Sequence, residues 1–146
     1  MPIRYPAVFE PQKDGSFLVT FVDLPDTFME GATLEEAIFN GVEVLTGMLA
    51  AKIDDNHDIP RPTKMARVVK GQTLRYLAPD AKTQAALLMR WARGTRATMS
   101  DVARSLETSW PAAKRLEDPH HSPNLARLDK AAAILGKRLV LSFEDT

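Results

Sequence analysis

The sequence predicts an α+β protein in two parts: a small β-β-β-α-β domain over residues 1–77, and a mainly α domain over 78–146 that closes on a lone strand at 137–144. Three observations carry this expectation. Apolar residues alternate along residues 3–22, the period-2 signature of half-buried strands. They then recur at helical spacing from Leu34 to Leu49. Between Thr98 and Glu117, two short apolar-periodic runs, each led by a capping residue, flank a tight turn. Helices that short cannot each bury a full face alone, so they must pack crosswise and leave one projecting outward.

The first strand places Ile3, Tyr5, Ala7 and Phe9 on one face, and Pro11 to Gly15 makes a turn. Residues 16–22 alternate again, with Phe17, Val19 and Phe21 against Leu18, Thr20 and Val22. Both faces are apolar there, which predicts a central strand. Pro25-Asp26 is expected to turn the chain into a third short strand near Thr27 to Gly31. Thr33 starts a helix, with Glu36 completing a capping box, and the helix is expected to end near Ile53. The polar stretch 54–62 is a loop, and a further strand or pair, split by Gly71, is expected between Met65 and Leu77.

The second part opens at Pro79-Asp80, with Asp80 as a helix cap. Its first helix has Ala81, Ala85, Leu88 and Ala92 as the expected inward stripe, with Leu87 and Trp91 beside it, and stops at Gly94. Thr98 caps the next helix, with Asp101 at the capping-box position. Ser109 caps the one after, whose first turn tolerates Pro111 because that N–H would be unbonded anyway. Val102, Ala103 and Leu106 face Ala113 and Leu116. Asn124 caps a last helix with Leu125, Leu128, Ala132 and Leu135 inward.

This constellation reads as a helix-turn-helix that enters a DNA major groove. The helix N-terminus at Thr98 and Met99 is placed to meet a phosphate, as is the cap at Ser109. Trp110, Pro111, Lys114 and Arg115 lie on or near the outward face. Arg115 can pair bidentately with a guanine edge, a discrimination of roughly 1–3 kcal/mol. Lys114 can take a base edge or a phosphate. Trp110 has one N–H donor and a large apolar face, so it either contacts the DNA or packs beneath the helix. His121 and Asn124 fall where the following loop meets the DNA backbone. A plain helical unit for protein contacts is the competing reading.

Residues 137–144 alternate Leu139, Leu141 and Phe143 against Val140, Ser142 and Glu144. A lone strand after an all-helical unit has no sheet of its own. Pairing with a twofold mate through Leu139, Val140, Leu141 and Phe143 would bring two reading helices into register for a palindromic operator. The alternative is a return to the N-terminal sheet.

Composition narrows the classes. The absence of cysteine excludes disulfides and thiolate zinc sites. There is no 18-residue apolar run and no basic-then-apolar leader, which predicts a cytoplasmic protein without membrane attachment. The net charge is zero, yet residues 1–62 hold 11 acids and 4 bases while residues 63–146 hold 8 acids and 15 bases. An acidic front and a basic back imply two different partners.

Residues 80–136 resemble the Cro/repressor-type helix-turn-helix family, with one departure: Glu107 stands where that family usually has Gly in a left-handed turn. In the front part, three stretches resemble the HicB antitoxin family over residues 3–62. They are Tyr5-Pro6-Ala7-Val8-Phe9-Glu10-Pro11, the run from Asp14-Gly15-Ser16-Phe17 through Asp23-Leu24-Pro25, and Gly31-Ala32-Thr33-Leu34-Glu35-Glu36-Ala37. The resemblance implies a partial ribonuclease H-like domain that binds and occludes a HicA-type toxin, a small mRNA-cleaving ribonuclease, and a back domain that represses the toxin–antitoxin operon by binding its operator. An RNA-cutting partner should be basic, which matches the acidic front. Glu10, Asp14, Asp23, Asp26 and Glu30 are the candidate toxin contacts.

Two other functions compete. A metal-dependent nuclease needs clustered carboxylates, but the strand Ile3 to Phe9 carries none, and Asp14, Asp23, Asp54, Asp55 and Asp58 fall in turns and loops. His57, His120 and His121 have no ligand spacing to an acid pair. No metal, cofactor or catalytic residue is therefore expected. A DNA-binding regulator with a ligand-sensing front domain is the other alternative.

Overall fold

The computed structural model describes residues 2–146. The chain folds as two compact units, one ending at Ala81 and the other running from Lys82 to Thr146. The first is built from β1 (Tyr5–Pro11), β2 (Phe17–Phe21), β3 (Leu24–Gly31), α1 (Leu34–Asp54) and β4 (Thr73–Leu77). These strands form one antiparallel sheet in the order β3-β2-β1-β4, so β1 and β2 are the inner pair.

Register assigns the two faces. Phe9 pairs with Val19, which pairs with Met29, and Tyr5 pairs with Leu77; this row system faces α1. Tyr5, Phe9, Val19, Leu45 and Leu49 are fully buried there. The helix lies close to the sheet at Gly41, where a Cβ would come within 2.9 Å of Leu77 Cδ1 and 3.4 Å of Val19 Cγ1. Gly31 is tighter still, since a Cβ there would overlap the Ala37 backbone. The opposite face carries the row Phe28, Thr20, Val8 and Leu74, and beside it Glu30, Leu18 and Glu10.

The third strand begins earlier than expected. Val22 and Asp23 alone make the β2–β3 connection, and Pro25-Asp26 lies inside β3 rather than in a turn. A proline is tolerated because β3 is an edge strand, where one missing N–H breaks no ladder. Only one strand forms between Met65 and Leu77, with Gly71 at φ 92° in the turn before it. Residues 55–72 are pinned by side chains. The Tyr5 hydroxyl donates to Pro60 O at 2.8 Å, and Thr63 donates through both N–H and hydroxyl to the Asp23 carboxylate. The Tyr76 hydroxyl donates to Lys64 O at 3.0 Å and accepts from Ala66 N–H at 3.1 Å. Burial pushes the Tyr5 hydroxyl pKa well up, so it stays a donor.

The second unit contains α2 (Ala81–Arg93), α3 (Met99–Ser105), α4 (Trp110–Lys114) continuing into a 3-10 turn (Arg115–Glu117), and α5 (Leu125–Ile134). Two apolar clusters hold it together. Met89, Leu116, Leu128 and Ala131 form one, and Met99, Val102, Ala103 and Ala113 the other. Leu106 and Leu135 pack against both and join them.

The inward faces of α2 and α5 differ from the expected ones. In α2 the buried residues are Thr83, Ala86, Leu87 and Met89, while Leu88 is exposed. In α5, Leu125 is exposed and Ala131 is buried beside Leu128. Both helices are rich in alanine, so apolar side chains occur on most sides and the larger partners decide which side turns inward.

The closing segment is not a strand within the chain. Every strand of the sheet lies between residues 5 and 77, and residues 137–146 have no ladder partner among the described residues. A strand requires a neighbour to satisfy its backbone, and a single copy has none to give. Leu139 is half-buried against the Met89 cluster, whereas Val140, Leu141 and Phe143 are exposed.

Candidate functional site

The expected DNA-reading residues gather on α3, α4 and the segment before α5. Thr98 caps α3 reciprocally: its hydroxyl accepts from Asp101 N–H at 3.1 Å, and its N–H donates to the Asp101 carboxylate at 3.0 Å. The Thr98 backbone N–H holds the Asp101 carboxyl below its ordinary range, with smaller help from the Thr98 hydroxyl and Arg104. Met99 lies in the core, so its side chain is turned away from solvent and only its backbone remains near the helix end.

Helix α3 turns into α4 through Glu107, whose φ of 54° is left-handed. Thr108 N–H donates to Ala103 O at 3.0 Å, and Glu107 N–H to Arg104 O at 3.1 Å, which closes the helix end. The Ser109 hydroxyl then accepts from Ala112 N–H at 3.2 Å and starts α4, with Pro111 in its first turn. Ala113 is fully buried against α3, which fixes the opposite side of α4 toward solvent.

That solvent side carries the outward residues. Trp110 is 49% exposed and is not a core side chain. The Lys114 ammonium lies 5.7 Å from the centroid of its ring, a cation–π pairing that holds both on one surface. Pro111 and Arg115 are also exposed, Arg115 at the start of the 3-10 turn. Asn124 caps α5 by accepting from Arg127 N–H at 3.1 Å, and His121 is exposed in the preceding turn.

One ion pair was invisible in the sequence. The Arg93 guanidinium donates to both carboxylate oxygens of Glu117, at 2.6 and 3.0 Å, and to Ala97 O at 3.3 Å. It ties the end of α2 to the end of the α4 turn. The two residues stand 24 positions apart, and no local pattern marks them as partners.

In the first unit, three of the five acids named as toxin contacts are occupied internally. Asp14 accepts from the Ser16 N–H and hydroxyl in the β1–β2 turn. Asp23 holds Thr63, and Asp26 pairs with Lys52 at 2.9 Å. Glu10 and Glu30 are exposed on either side of Leu18, on the sheet face away from α1.

Residues 4–72 match the family model described as HicB_like antitoxin of bacterial toxin-antitoxin system. These residues form a HicB-like antitoxin domain. The similarity of the chain runs beyond that domain. Antitoxin HicB 1 of Photorhabdus laumondii subsp. laumondii is 27% identical over 143 residues, which cover 97% of this chain and 88% of the relative. Antitoxin HicB of Escherichia coli strain K12 is 27% identical over 139 residues, covering 95% of this chain and 98% of that one. The crystal structure of the N-terminal domain of the Burkholderia pseudomallei antitoxin HicB aligns with a TM-score of 0.42 at 18% identity, over 53% of this chain and 98% of that chain. The HicB-like domain contributes β1 to β3 and α1, and its matched residues end just before β4.

Proposed function

We propose that this chain is an antitoxin whose first unit binds and occludes a small, mRNA-cleaving HicA-type ribonuclease, and whose second unit represses the toxin–antitoxin operon by sequence-specific DNA binding. The observation that carries the second half is the outward surface of α4. Trp110, Lys114 and Arg115 share it, while Ala113 anchors the helix to α3 and Ser109 sets its start. A capped helix, a left-handed turn and a second helix with bases facing solvent is the arrangement of a helix-turn-helix. The HicB-like domain supports the first half, and we read its antiparallel sheet with one covering helix as a partial ribonuclease H-like fold.

The working form is a homodimer. Exposed Val140, Leu141 and Phe143 at the end of the second unit supply apolar side chains for a strand paired across a twofold axis. The protein acts by occlusion and repression, without catalysis or cofactor, in the cytoplasm where both mRNA and operator lie. Among the described residues no helix is long and apolar enough to cross a membrane.

Co-expression with a HicA-type ribonuclease, followed by purification and mass measurement, tests this directly. A stable complex that lacks RNA-cleaving activity and shifts operator DNA is the expected result. A protein that captures no ribonuclease and does not protect cells from one defeats the antitoxin reading. Magnesium-dependent RNA cleavage by the protein alone would replace it with a nuclease.

A further inference from the structure

Helix α1 buries one side on the sheet through Ala37, Gly41, Leu45 and Leu49. Its opposite side exposes Glu35, Phe39, Glu43, Gly47 and Ala51, one residue in every four along the whole length of the helix. A four-residue step is nearly one helical turn, so these side chains form a single outward line. Two of them are unexplained by the fold of the unit. Phe39 is 66% exposed, a large aromatic left in water between two glutamates. Gly47 stands in the interior of a 21-residue helix, where a Cβ would meet nothing within 4 Å. Glycine is the poorest helix former after proline, and neither φ nor packing calls for it here.

We propose that this line is the surface on which the first unit seats its ribonuclease partner. Phe39 is the apolar anchor, and Gly47, two turns and about 12 Å further along the axis, is the place where the partner comes closest to the helix backbone. The proposal rests on the antitoxin reading and deepens it. Charge selects the occupant. Helix α1 carries Glu35, Glu36, Glu43 and Asp54 against one base, Lys52, which is paired with Asp26. An RNA-binding ribonuclease presents a basic face to the phosphate backbone, and an acidic surface complements that face. A second copy of this chain would set glutamates against glutamates and is disfavoured.

The rival surface is the open sheet face with exposed Phe28. The Tyr76 bonds hold the chain at Lys64 and Ala66 against that face. The stretch 63–70 holds bases and no acid, so the face that also carries Glu10 and Glu30 is mixed in charge.

The test compares Phe39→Ala, Gly47→Gln and Phe28→Ala in the full chain. Affinity is measured by calorimetry against a HicA-type ribonuclease in a catalytically inactive form, with a thermal melt of each variant. Phe39→Ala and Gly47→Gln should each weaken binding by about tenfold or more, the scale of a truncated or blocked anchor. Phe28→Ala should leave it unchanged. Gly47→Gln should also melt at or above the wild-type temperature, because glutamine favours helix over glycine. Lost binding in a more stable protein cannot come from damage to the fold. Wild-type affinity in both helix variants overturns the proposal, as does a loss confined to Phe28→Ala. A wild-type chain that binds no ribonuclease removes the antitoxin reading and this surface with it.

Discussion

Arg93 and Glu117 form a two-pronged ion pair that joins the end of α2 to the end of the α4 turn, with side chains 22% and 5% exposed. Glu117 is one of the few buried charged or polar residues among those described, and a buried carboxylate is tolerable only when paired and hydrogen-bonded. The Glu117 hydrogen bonds raise the Arg93 pKa above its ordinary value, so the guanidinium stays charged.

Breaking this pair on one side should be costly. Arg93→Met leaves the Glu117 carboxylate buried without its partner, and about 3 kcal/mol of stability should be lost, the low end for buried pairs because the Arg93 end is partly wet. Arg93→Met with Glu117→Met should recover much of that loss. Urea unfolding of the three proteins checks it; equal losses in the single and double variants would count against the account.

Glu107 holds a φ of 54° between α3 and α4, a region that costs any residue with a Cβ. Glu107→Gly should therefore stabilise the second unit by about 0.5–1 kcal/mol, less than the full strain because glycine also loosens the unfolded chain. A thermal melt of that variant decides the sign.

The cap of α3 predicts a pH dependence. The Asp101 carboxyl is depressed below its ordinary 3.8, so its contribution is fully present above that value and disappears as pH falls through the lower folded-state value. Asp101→Ala should be less stable than wild type at neutral pH, and the gap should narrow as pH falls below the ordinary 3.8 and through the lower folded-state value. Thr98→Ala removes the cap itself and should cost about 1 kcal/mol. Paired denaturation curves at pH 7 and pH 3 test both.

For the DNA-reading half, Arg115→Ala should weaken specific operator binding about ten- to a hundredfold while toxin neutralisation stays intact. Lys114→Ala should weaken binding across all sequences and reduce its salt dependence. Gel shifts on operator and scrambled DNA separate the two; equal loss of both functions in Arg115→Ala would contradict a modular protein.

The terminal segment is best cut after Leu139, since Leu139 covers the Met89 cluster and its removal would confuse folding with assembly. Deleting residues 140–146 should lower the mass in solution and weaken operator binding without lowering the melting temperature of the monomer. An unchanged mass would remove the strand-paired dimer.

Much of this protein is local and therefore legible in its amino acids. Alternation gives β1 and β2, the Thr33 cap gives the start of α1, and Thr98, Ser109 and Asn124 start three further helices where those residues stand. Each depends on backbone bonds within a few positions, so a short window of sequence contains the whole cause. The left-handed turn at Glu107 is expected instead from the resemblance to the Cro/repressor-type helix-turn-helix family, and the structure has it.

Tertiary structure decided what depends on distant partners. It turned Leu88 and Leu125 outward, set Pro25 inside an edge strand, and put Trp110 at the surface beside Lys114 rather than in the core. It joined Arg93 to Glu117 and gave Asp23 and Asp26 internal partners, while Glu35 and Glu43 face outward. Periodicity says that a helix has an apolar side, but burial is settled by the volumes and charges that meet across a core. Those meetings join residues tens of positions apart, and no window of sequence holds both halves.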